Sequence, residues 1–85
     1  MLMLCTTFTY AQQDISGQIT DSDGEPLPGA NVLEKGTSNG VITDFNGNYA
    51  LTVEDNATIV VSFIGFQSKE IIVNGKTIIN VSLSL

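Results

Sequence analysis

Four dipeptides punctuate this chain: Asp23-Gly24, Asn39-Gly40, Asn46-Gly47 and Asn74-Gly75. Asn and Asp tolerate a positive φ and Gly adopts one without steric penalty, so such pairs are the strongest short-range hairpin signal a sequence carries. Short runs of alternating apolar and polar residues lie between them. No window holds an amphipathic helical face longer than about two turns. The chain is therefore read as strand and turn throughout.

The alternation places the strands. Ile15, Gly17 and Ile19 alternate with Ser16, Gln18 and Thr20, the period-two pattern of a half-buried strand. Residues 21–26 form a turn whose Asp side chains can cap backbone N–H groups, and Pro26 and Pro28 keep the next stretch out of any central strand. Residues 30–35 make a second strand with Ala30 and Val32 on one face. After a loop at 36–40 come a short strand at 41–43, the Asn46-Gly47 turn and an alternating strand at 49–53. Residues 58–66 are the most apolar stretch, with Ile59, Val61 and Phe63 on one face and Val60 and Ile64 on the other. A strand apolar on both faces belongs in the middle of a sheet or under a partner. Residues 69–73, the Asn74-Gly75 turn and residues 77–83 read as a last hairpin, with Ile79, Val81 and Leu83 facing in. Seven short strands at this spacing predict an all-β fold, a seven-stranded antiparallel Greek-key sandwich. Thr20-Asp21-Ser22-Asp23-Gly24 and Thr43-Asp44-Phe45-Asn46-Gly47 echo one another, which turn chemistry explains better than duplication.

Residues 1–11 differ from the rest. They carry no charge, are rich in apolar side chains and end in Thr9-Tyr10-Ala11, where small residues suit signal-peptidase cleavage before Gln12. A positively charged start is missing, so the segment reads as a truncated signal peptide and residues 12–85 as one domain. The alternative is an apolar first strand. The single cysteine, Cys5, has almost no apolar run before it and lacks the small-residue approach of a lipidation site. Cleavage after Ala11 leaves no thiol, and a core this small is marginal on size scaling, which suits a domain belonging to something larger.

Composition excludes much chemistry. The net charge is −6 and the only basic residues are Lys35, Lys69 and Lys76, so neither nucleic acid nor anionic lipid is an expected partner. Without His or Arg, no Ser-His-Asp or Cys-His relay can form, and no catalytic residue or cofactor is expected. Asp21, Asp23 and Glu25 are weak calcium candidates, being oxygen donors in a Gly-containing turn without the spacing of a calcium loop. The simpler reading is a solvated turn capped by its own side chains. A Lys35–Asn80 isopeptide bond would need both side chains buried together, whereas Asn80 alternates with Ile79 and Val81 and should face out. Val60, Ile64 and Phe66 form a candidate contact surface, apolar on a face the core does not require.

Three stretches carry a resemblance. Residues 15–21 with 23–32, residues 36–40 with 43–49, and Val61-Ser62-Phe63-Ile64-Gly65-Phe66-Gln67 resemble, in order, the motifs of the carboxypeptidase regulatory-like domain. Within that family the chain is most similar to the N-terminal extension of SusC/RagA-type TonB-dependent outer-membrane transporters of Bacteroidetes. The resemblance implies a transthyretin-like sandwich, exported to the periplasmic face of the outer membrane. It implies no catalysis, but an accessory role through protein contacts with the barrel, a SusD-like lipoprotein and TonB. A barrel needs roughly hundreds of residues beyond Leu85, so the resemblance implies a fragment or truncated product. The alternatives are a stand-alone exported module binding glycan or calcium, and a regulatory appendage of a peptidase.

Overall fold

A computed structural model describes residues 11–85, and the segment read as a signal peptide, with Cys5, lies outside the described residues up to Tyr10. The strands are β1 (Gln12–Asp21), β2 (Asn31–Glu34), β3 (Gly40–Ile42), β4 (Asn48–Glu54), β5 (Thr58–Ser62), β6 (Lys69–Ile72) and β7 (Val81–Leu83). They form two sheets, one ordered β4-β1-β7 and the other β3-β2-β5-β6. Every pairing is antiparallel except that of β1 with β7, which is parallel and sets Ile19 beside Val81 and Asp21 beside Leu83. This is the predicted seven-stranded β-sandwich.

The core follows from the period-two pattern. Ile15 and Ile19 of β1, Tyr49, Leu51 and Val53 of β4, and Val81 and Leu83 of β7 turn in from one sheet. Val32 of β2 with Ile59 and Val61 of β5 meet them from the other. β5 lies between β2 and β6, in the mid-sheet position its two apolar faces predict. Gly17 has a packing role, because a Cβ there would run into the Ile79 carbonyl oxygen, with the carbonyl carbon at 2.6 Å. The segment leading into β7 can approach β1 only because that side chain is missing.

Three expectations need correction. The Asn74-Gly75 turn exists, with φ of 48° and 75° and a hydrogen bond from Lys76 N to Val73 O at 2.9 Å. Yet it does not close a hairpin. β6 pairs only with β5, and the chain then crosses to the other sheet, where only residues 81–83 form a strand, beside β1. The strand predicted over 58–66 ends at Ser62; Phe63–Phe66 is a turn closed by Phe66 N donating to Phe63 O at 3.0 Å. Asn39-Gly40 is not itself a hairpin turn, for the reversal occurs at Lys35-Gly36 and Gly40 already belongs to β3.

Candidate functional site

The acidic turn is built around Asp21. Its Oδ1 accepts from Asp23 N at 2.8 Å and Glu25 N at 3.0 Å, while Asp21 N donates to Glu25 O at 2.9 Å. Asp44 repeats the arrangement: its Oδ1 accepts from Asn46 N and Asn48 N, each at 2.9 Å, and its N–H donates to Asn48 O. The echo in the sequence is thus one turn architecture used twice, the Asp cap turning the chain between strands. The three candidate calcium ligands share this loop, but Asp21 commits an oxygen to the backbone. Among the described residues no group of three or more His, Cys, Asp or Glu side chains is close enough to hold a metal ion.

The other singled-out residues are dispersed. Lys35 Nζ pairs with Glu70 Oε1 at 2.6 Å, and both side chains are more than half exposed, so the pair adds little stability. Asn80 is exposed, and its Oδ1 accepts from Gln18 N at 2.8 Å, splicing a side chain into the β1–β7 ladder. Val60 lies on the outer face of the four-stranded sheet, in a groove of about 410 Å³ that also takes in Leu33 and Ile42. Ile64 projects from the turn after β5 and is 94% exposed. Phe66 instead packs against the core, edge-on to Phe63 with ring centroids 5.6 Å apart.

Sequence reasoning missed the polar joints. Glu34 is buried; its Oε1 accepts from Asn39 Nδ2 at 3.1 Å and its Oε2 from Glu54 N at 3.1 Å. Asn39 Nδ2 also donates to Thr52 O at 2.8 Å, so this amide and carboxylate join the loop before β3 to the rim of β4. Thr43 is buried and its Oγ1 accepts from Ala30 N at 2.8 Å while donating to Leu27 O at 2.6 Å, which pins the Pro-Gly connection. Tyr49 donates its hydroxyl to Ile79 O at 2.7 Å, and burial pushes its pKa up to about 12. The Glu at the end of β2, where alternation calls for an inward residue, was the one available signal. Each of these groups joins one strand or loop to another.

The architecture is a seven-stranded sandwich with side-chain-capped turns and buried polar side chains that join neighbouring strands and loops. The chain belongs to the CarboxypepD_reg-like domain family, whose profile matches residues 15–85. Its curated relatives include TonB-dependent receptor P39 of Formosa agariphila, 38% identical over 98% of this chain and 8% of that protein. TonB-dependent receptor SusC of Bacteroides thetaiotaomicron is 51% identical over 73% of this chain and 6% of its own length. TonB-dependent receptor P3 of Formosa agariphila is 41% identical over 99% of this chain and 9% of its own. The chain therefore spans less than a tenth of each of these relatives.

Proposed function

We propose that the chain is a non-enzymatic accessory domain of a TonB-dependent outer-membrane receptor for nutrient uptake, working by protein contact on the periplasmic face. The observation that carries this reading is likeness to TonB-dependent receptors along 98% and 99% of the chain. The absence of His and Arg from the sequence, and the spending of Glu34, Asn39, Thr43 and Tyr49 on inter-strand joints, support a role without catalysis. The barrel, a SusD-like lipoprotein and TonB are the partners such a role requires. In this reading the 85 residues are a fragment or truncated product of a receptor gene.

The test is DNA sequence across both ends of the reading frame, followed by in-frame deletion of codons 12–85 from the receptor gene. The expected result is a frame continuing into a barrel, and lower receptor assembly or uptake in the deletion. Unchanged assembly and uptake would sink the reading. Residues 1–11 act as the signal segment, so the exported chain begins at Gln12, where β1 begins. Mass spectrometry of the periplasmic protein reads that terminus directly, and an intact Met1 would refute it. Of Val60, Ile64 and Phe66, Ile64 stands furthest into solvent and is the first candidate to touch a partner. Ile64→Asp should leave the melting temperature unchanged and reduce receptor assembly.

A further inference from the structure

The two sheets present lateral edges at β4, β7, β3 and β6. An open edge is a row of unpaired backbone groups and invites another strand, so folded proteins blunt their edges. Three of these are blunted. Along β4, Asn48 N and O are both taken by Asp44, Thr52 O by Asn39 Nδ2, and Glu54 N by Glu34 Oε2. β7 is only three residues long, and Gln67 N donates to Ser84 O just past its end. β6 carries Lys69 and Glu70, whose charges oppose strand addition.

β3 is as short as β7 and lies close to β4 of the other sheet, but it lacks the charges and the backbone-capping bonds that blunt the other edges. Its residues are Gly40, Val41 and Ile42, without a charge. Glu34 N donates to Asn39 O and Thr43 N to Ala30 O, and these bonds fix which positions of the β2–β3 ladder exchange hydrogen bonds. Gly40 opposite Leu33 and Ile42 opposite Asn31 are the alternate, non-bonded positions, so their N–H and C=O groups point away from β2. Among the described residues those groups have no partner. The outer face beside them is apolar. Leu33 lies across Gly40, its Cδ1 2.9 Å from where a Cβ would be, and Ile42 is 65% exposed. Leu33, Ile42 and Val60 line the groove of about 410 Å³.

We propose that the β3 edge is a docking site for an extended strand of a partner protein, added beside β3 as a fifth strand of that sheet. This deepens the protein-contact reading above and rests on it. The outward backbone groups of Gly40 and Ile42 require a polypeptide backbone as their complement, which no sugar or lipid supplies in that row. The partner strand carries an aliphatic side chain that packs on Leu33 and Ile42. It also carries a Lys or Arg, because the chain's net charge is −6 and Asp44 lines the adjoining groove with Ile42. A second copy of this chain fits less well, bringing the same negative charge and an uncharged edge.

The probe is the synthetic peptide acetyl-Lys-Val-Thr-Val-Thr-Val-Lys-amide, titrated into the ¹⁵N-labelled 85-residue chain. The Gly40 and Ile42 amide resonances should move and their hydrogen exchange should slow. Ile42→Lys should weaken binding by about tenfold or more, while Ile72→Lys on the opposite edge leaves it unchanged. A peptide N-methylated at alternate residues should not bind, since it cannot complete the ladder. Equal binding by that peptide, or no response at Gly40 and Ile42 with millimolar peptide, would overturn the proposal. So would sedimentation showing a concentration-dependent dimer abolished by Ile42→Lys, which assigns the edge to a second copy. Peptide binding by a domain whose deletion leaves receptor assembly intact would sink only the accessory-domain reading.

Discussion

Thr43 and Tyr49 show how single polar side chains hold this sandwich. Among the described residues the Thr43 hydroxyl is the only group that bonds both Ala30 N and Leu27 O. Thr43→Val keeps the shape and strands both backbone groups, so it should cost about 2 kcal/mol. The measurement is a urea midpoint that falls at unchanged slope. Tyr49 makes stability depend on pH in a definite direction. The unfolded chain ionises this phenol above about pH 10, whereas the fold keeps it protonated to about pH 12. The unfolded state then binds fewer protons, so this contribution is complete below about pH 10 and is lost as pH rises through about 12. Tyr49→Phe should flatten that alkaline decline relative to the parent chain, and urea titrations across the window compare the two slopes.

At the scale of elements, what the sequence showed and what it hid separate cleanly. Alternation marked Ile15 and Ile19, Tyr49, Leu51 and Val53, and Ile59 and Val61 as inward-facing, and these residues are core. A period of two reports which side of a strand is buried, not which strand lies next to it. For that reason the Asn74-Gly75 turn suggested a hairpin where the chain in fact changes sheets. The polar joints were hidden because Glu34 and Asn39 act across sequence gaps that no local pattern encodes. Gly17 was visible as an inward position, but its reason, the Ile79 backbone, was not. Gly17→Ala should destabilise by about 3 kcal/mol, because backbone rather than a pliable side chain must give way. Thermal melting checks it, and a change under about 0.5 kcal/mol would show that β7 can retreat without loss. Asn39→Ala removes the donor to Thr52 O and Glu34 Oε1, and hydrogen exchange should then quicken along the rim of β4.

For the whole molecule, the core draws on both ends of the described chain, from Ile15 to Leu83. Removal of residues 77–85 takes away β7 and the carbonyl that receives Tyr49, and circular dichroism of that truncation should show an unfolded chain. Family membership and the receptor-like relatives place this module among proteins more than ten times its length, of which it covers 6% to 9%. Its own residues build a closed core and leave the outward backbone groups of β3 without a partner among the described residues.

The parallel pairing of β1 with β7 has a mechanical consequence. Ser16 bonds to Thr77 O and Ile79 N, Gln18 N to Asn80 Oδ1, and the ladder continues through Asp21 beside Leu83. Tension applied between Gln12 and Leu85 draws these two neighbours past one another lengthwise. The crosswise hydrogen bonds then carry the load together, in shear, instead of opening one at a time as in a zipper. A tether attached at those two points would meet a stiff link that yields abruptly.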